Sequence, residues 1–353
     1  MAYNILYIED GNPESTISDL KKCKELTVEY HDPLDFEGSI AAATATSVDL
    51  LLLDFRLSDK KGVIYDAPTL AQTLRTQHSK THRDIPIVLI SSEDKISGFY
   101  KDYTSQDLFD FAISKKALSE QHDKYTGRMK SLISAYSMLA TSKSECSAIF
   151  SMLKIPPIIE EKFDVRVKDI LESNKIRNNI FMASDFLLNR IVKPSGLLIG
   201  EDILAARLGV SLSSEDWPDL LAMLGDYKYS GVFADTYKRW WFSGVDMWWK
   251  SVSPDHPSLK RLRATQRVEI LKSVLGIVNI NAAEKSLYSQ SDYFWTICNQ
   301  SLRPLDPIDG FEKNVTKDPW IDKTYFSAEG ASSLESLNDI ATIDRKRYLA
   351  FTE

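Results

Sequence analysis

The sequence predicts an α/β domain, a doubly wound, five-stranded parallel sheet, followed by a second domain that is mainly α-helical. Two observations predict the first part. Over residues 1–116 short apolar runs alternate with helical stretches, and the runs are apolar almost continuously rather than at every second position. Strands of that kind are buried on both faces, as in a parallel sheet covered by helices on either side. A third observation predicts the second part: from about Val165 onward the apolar residues recur at helical spacing. The expected division is one domain at residues 1–120, a helical linker at 121–160 and an output domain at 161–353.

The elements follow in order. Asn4–Ile8 (NILYI) is a first strand that runs into Glu9-Asp10, and a helix is expected over Pro13–Lys24. A strand at Leu26–Tyr30 and an Ala-rich helix at Phe36–Thr46 come next. Val48–Leu53 (VDLLLL) is a fully buried strand ending at Asp54. Pro68–Gln77 is helical, Ile85–Ile90 (IPIVLI) is a strand ending at Ser91-Ser92, Ser105–Phe109 is helical, and Phe111–Ser114 is a last strand ending at Lys115. A helix over Leu118–Leu139 closes the domain, and the adjacent prolines of KIPPIIEEKFD (154–164) stop any continuation. Helices are then expected in VKDILESNK, IFMASDFLLNRIV, GEDILAARLGV, DWPDLLAMLG and RVEILKSVLGIV, and residues 300–330, rich in Pro, Asp and aromatics, form ordered loop.

In an open parallel sheet the site lies at the carboxyl ends of the strands. The strand ends here bring Glu9, Asp10, Asp54, Ser91 and Lys115 to one edge. Three carboxylates there repel one another and raise their own pKa values unless a cation joins them. All-oxygen ligands with room for water suit Mg²⁺. A carboxylate beside such an ion can attack a phosphoryl group and form an acyl phosphate, while the ion neutralises charge on the phosphoryl oxygens. A hydroxyl and a lysine from neighbouring strands can hold the remaining oxygens.

The runs ILYIED, LLLLDFRL, IPIVLISS and FAISK resemble, in order and spacing, the four signature strand ends of the bacterial response-regulator receiver family. The resemblance covers the first third of the chain. It implies a flavodoxin-like strand order 2-1-3-4-5, a Mg²⁺ ion held by Glu9, Asp10, Asp54 and the backbone carbonyl of Arg56, and phosphorylation on Asp54. Ser91 and Lys115 would contact the phosphoryl oxygens. It also implies that Arg56 and Glu93, each two residues past a site residue, overhang the acyl phosphate and modulate the attack of water. Glu9 stands where the family more often has aspartate, the stretch between Asp54 and Ser91 is several residues longer, and the family's switch aromatic falls on Ala112.

Charge and composition bound the rest. Residues 1–120 hold 13 Lys+Arg against 20 Asp+Glu, whereas residues 121–353 hold 30 of each, so the chain's net charge of −7 belongs to the first domain. Neither part has the basic balance of a nucleic-acid binder. No apolar run approaches the ~20 residues that span a bilayer, the N-terminal residues do not read as a signal peptide, and the three cysteines, Cys23, Cys146 and Cys298, form no metal box. A cytoplasmic location is expected. Ile203–Ser211 (ILAARLGVS) resembles the opening of a helix-turn-helix, but the helix after it starts with Glu215, Asp216 and Asp219, which would repel phosphates. All seven tryptophans lie between Trp217 and Trp320, four of them in RWWFSGVDMWWK (239–250), and they read either as core at helical spacing or as a partner surface.

The expected protein is thus a response regulator with a cognate histidine kinase, a protein partner for its helical domain, and neither nucleic acid nor membrane as partner. Two alternatives stay open: a phosphate sink for a shared kinase, suggested by a loose similarity to receiver proteins of phage-defence two-component systems, and an enzyme in the second domain.

Overall fold

A computed structural model describes residues 2–77, 83–92, 107–141, 148–161 and 163–352. By its contacts the chain divides into two compact units: residues 1–152 with 165–187, and residues 153–164 with 188–353.

The first unit is built on five parallel strands, β1 (Tyr3–Ile8), β2 (Leu26–His31), β3 (Leu50–Asp54), β4 (Ile87–Ser91) and β5 (Phe111–Ser114), in the order β2-β1-β3-β4-β5. Every residue of β3 and β4 is buried, which is why these strands are apolar without alternation. Leu6, Ile8, Leu51, Leu53, Ile87 and Leu89 form one core with helices α2 (Phe36–Ala43) and α3 (Ala67–Gln77). The alternate residues Ile5, Tyr7, Leu50, Leu52, Val88 and Ile90 are buried on the opposite face. Helix α1 (Glu14–Lys21) belongs to that side and packs with α4 (Lys115–Glu120) and α5 (His122–Thr141). Asp35 begins α2, its side chain accepting the Gly38 amide at 2.8 Å.

Three differences from expectation are structural. The single helix expected over 118–139 is two, because Gln121 leaves the helical region at φ −130°. Residues 121–141 and 148–152, expected as linker, belong to the first unit: α5 buries Met129, Leu132, Ile133, Tyr136 and Leu139. The chain then returns to the same unit with α6 (Val165–Glu172) and α7 (Ile180–Asp185), and α7 lies on α5. Of the helix expected at Ser105–Phe109, residues 105 and 106 lie outside the described residues and 107–108 form one 3₁₀ turn.

The second unit is largely helical, with α8 (Glu201–Leu208), α9 (Trp217–Met223), α10 (Phe242–Val252), α11 (Ala264–Leu275) and α12 (Thr342–Thr352). Three short antiparallel pairs join them: β6 (Leu198–Ile199) with β7 (Trp240–Trp241), β8 (Thr296–Ile297) with β9 (Pro304–Leu305), and β10 (Phe311–Glu312) with β11 (Tyr325–Phe326). Part of the region expected as loop is therefore strand. Trp240 and Trp241 are likewise strand rather than helix, and with Trp217 and Trp249 they are buried. The tryptophan cluster is core, not an exposed surface. Helix α8 ends on Gly209 at φ +74°, where a Cβ would stand 2.6 Å from Ala264 Cα. Only glycine serves both the left-handed turn and that approach. Among the described residues no helix is long and apolar enough to cross a membrane.

Candidate functional site

Strand register assembles the site. Ile8 pairs with Leu53, so Glu9 falls level with Asp54; Asp54 pairs with Ile90, and Ser91 with Ser114, the residue before Lys115. Four neighbouring strand ends thus present two acids, one acid, one hydroxyl and one ammonium at the same edge. Glu9 and Asp54 are each only 3% exposed, and carboxylate oxygens of Glu9, Asp10 and Asp54 all lie within 4.8 Å of one another. Lys115 bridges the two buried acids, its Nζ 2.6 Å from Glu9 Oε2 and 2.9 Å from Asp54 Oδ1. The Arg56 amide donates to Asp54 Oδ2 at 3.2 Å. Ser91 is buried at the end of β4. Glu93 lies outside the described residues.

Two groups at the site were not singled out from the sequence. The Tyr7 hydroxyl donates to Glu9 Oε2 at 2.5 Å, and the Tyr30 hydroxyl donates to the Glu9 carbonyl at 3.1 Å. The Tyr7 contact was legible, since residues two apart on a strand share a face. The Tyr30 contact depends on β2 lying beside β1.

The charges do not balance. Three carboxylates face one ammonium. Burial works against the Glu9 carboxylate, but the Lys115 ammonium and the Tyr7 hydroxyl outweigh it and hold its pKa below the ordinary value. Burial and the charge of Glu9 raise Asp54 despite Lys115. Burial, the hydrogen bond with Glu9 and its charge push Asp10 up to about 6. Surplus negative charge on hard oxygen donors is what a divalent cation of the Mg²⁺ type would neutralise, so the donor set fits such an ion.

A five-stranded sheet of order 2-1-3-4-5 with an acid cluster and a lysine at its carboxyl edge is the architecture of a response-regulator receiver, and the first unit has that fold. The sequence matches no protein-family model and no curated protein. Among solved structures the chain is similar to the receiver domain of NtrX from Brucella abortus (19% identity, TM-score 0.28, covering 35% of this chain and 96% of that one). It is also similar to the receiver domain of the sensor histidine kinase PA1611 from Pseudomonas aeruginosa, solved with a magnesium ion in its active-site cleft (17% identity, TM-score 0.29, 36% and 98%). A further likeness is to a complex of the histidine kinase ThkA with the response regulator TrrA (16%, TM-score 0.28, 36% and 97%). The chain spans 56% of the length of a RitR mutant that it also resembles (16%, TM-score 0.30).

Proposed function

We propose that the protein is a two-component response regulator that accepts a phosphoryl group on Asp54 from the phosphohistidine of a cognate histidine kinase, with Mg²⁺ as cofactor. The observation that carries this reading is the meeting of the Glu9, Asp10 and Asp54 carboxylates within 4.8 Å, with Lys115 Nζ 2.9 Å from Asp54 Oδ1. Glu9, Asp10, Asp54 and the Arg56 carbonyl would hold the ion, which when bound neutralises charge on the transferring group. An Asp54 carboxylate oxygen attacks phosphorus. The P–N bond of the donor breaks as the O–P bond forms, and the imidazole leaves with the bonding pair and takes a proton from solvent. Lys115 would turn to one phosphoryl oxygen, and the Ser91 hydroxyl would donate to another.

The output of the second unit is read as protein contact. One observation favours the phosphate sink as a second reading: the position of the switch aromatic holds Ala112, a partly buried methyl group packed against the sheet's core, with no ring to change rotamer. Labelled acetyl phosphate or phospho-kinase with Mg²⁺ should label the wild type and leave Asp54→Asn blank; equal labelling of both refutes the assignment. Beryllofluoride separates the two outputs. An effector changes the hydrogen exchange of residues 188–352 on activation, and a sink leaves it unaltered.

A further inference from the structure

Within the second unit lies a cavity of about 500 Å³ between the end of α7's following turn, the start of α8 and the β8–β9 pair. Its cationic lining is Arg190, Lys193, Arg239 and Lys317, against the single carboxylate of Asp202. Arg190 is neutralised by Asp318 at 2.8 Å. Arg239 Nη2 donates to the Lys193 carbonyl at 2.8 Å and Lys317 Nζ to the Asp322 carbonyl at 2.6 Å; neither makes an ion pair among the described residues, and each feels a carboxylate only at longer range, Asp202 for Arg239 and Asp322 for Lys317. Held on neutral acceptors with carboxylates only at longer range, the two half-buried cations are incompletely compensated for their burial. Burial lowers the pKa of both.

Two further observations fall on the cavity's lining. Arg239 Nε and Thr324 Oγ1 are shut from solvent and have no hydrogen-bond partner among the described residues. Buried polar groups are rarely left so, and a small rotation of either side chain into the cavity would complete its bonding on an oxyanion. Leu302, on the rim, holds φ +58°, a left-handed conformation costly for a side chain of its size.

We propose that this cavity binds a small phosphorylated ligand, its phosphate held by Arg239 and Lys317 and its less polar part against Ile203, Ile297 and Leu302. The volume is in the range of small-molecule sites. Four cations line the cavity against the carboxylate of Asp202, an excess that suits a dianion better than a single carboxylate. This site is separate from the acid cluster of the first unit, and the inference does not rest on the phosphotransfer reading.

The test is calorimetric titration of the full chain in buffer containing EDTA, where the metal-free acid cluster repels phosphates. The probes are adenosine 5′-monophosphate, ribose 5-phosphate, inorganic phosphate and unphosphorylated adenosine. At least one phosphorylated probe should bind and adenosine should not. Lys317→Gln should weaken that binding about tenfold or more, the loss expected for one charge-assisted contact, and Arg239→Gln should do the same. Asp54→Asn should leave it unchanged. Lys317 is only partly buried, so its variant keeps the test decisive should Arg239→Gln fail to fold. Absence of binding by every phosphorylated probe at millimolar concentration, adenosine binding as well as its monophosphate, or full affinity in Lys317→Gln would each overturn the proposal.

Discussion

Asp10 is where the unbalanced charge of the site shows, and its pKa near 6 makes it testable. In the unfolded chain an aspartate titrates near ~3.9, so between that value and 6 the metal-free native state binds the extra proton. The stability Asp10 contributes is fully present below the unfolded value and is lost as pH rises through 6; Glu9, held low, works in the opposite sense. Mg²⁺ should therefore raise the melting temperature more at about pH 7 than at about pH 5, by binding the native state alone. Asp10→Asn should raise the metal-free melting temperature and remove most of the Mg²⁺ response. A melting temperature indifferent to millimolar Mg²⁺ would count against the site. A second residue-scale prediction concerns Arg56, which is exposed with its guanidinium 5.7 Å from the Phe55 ring centroid. If Arg56 and Glu93 bridge the mouth of the site, the pair adds only ~0–1 kcal/mol to stability yet obstructs water. Alanine at either position should then shorten the lifetime of labelled protein after kinase removal, and unchanged lifetimes in both variants would end the gating idea.

At the scale of elements, one buried network ties the sheet to its helices. Arg75 of α3 donates to Asp110 at 2.9 Å and to the carbonyls of Leu108 and Ile85. Asp110 also accepts the Ile87 amide at 2.8 Å and the Tyr136 hydroxyl at 2.7 Å, and the Arg75 guanidinium lies 4.0 Å from the Phe181 ring centroid. α3, β4, β5, α5 and α7 meet there. Removing one partner strands a buried charge, so Arg75→Met should cost about 3–5 kcal/mol in denaturant unfolding, while Tyr136→Phe, which removes one neutral donor, should cost about 1–2 kcal/mol. Equal costs would mean that the ion pair does not anchor the network. The same network explains why a boundary at residue 120 is not visible in the contacts: Tyr136 on α5 completes the hydrogen bonding of Asp110 at the start of β5. A fragment ending at residue 120 should expose the apolar face of the sheet that α5 covers, and should aggregate where the full chain remains monodisperse by light scattering.

For the whole molecule, the acidic excess of the first 120 residues and the charge neutrality of the rest predict no general attraction for polyanions. Arg207, the basic residue of the helix that resembles the opening of a helix-turn-helix, is buried, paired with Asp322 at 2.6 Å and stacked between Phe242 and Trp295. Asp216, before the next helix, accepts the Asn279 amide at 2.8 Å. A helix so arranged has no basic side chain to offer a groove. The full chain should show no sequence-specific retention of duplex DNA at physiological salt in an electrophoretic shift assay, and tight specific binding would restore the helix-turn-helix reading.

By itself the sequence determined the parallel sheet, its strand ends and the identity of the residues at its carboxyl edge. Burial on both faces leaves an uninterrupted apolar run, and a run that stops at Asp54 or at Glu9-Asp10 marks its own end. The C-terminal helices were legible for a similar reason, since one buried stripe imposes its period on the residues. Tertiary structure alone decided which side chains meet across elements. That Lys115 bridges Glu9 and Asp54, that Tyr30 reaches the Glu9 carbonyl, that α5 and α7 belong to the first unit, and that Trp240 and Trp241 pair as strand in a core all depend on contacts between residues far apart in the chain. Local periodicity records whether a residue is buried, but not against what. The cavity around Arg239 and Lys317 is the extreme case: its lining comes from segments more than a hundred residues apart, and no short stretch of sequence carries its pattern.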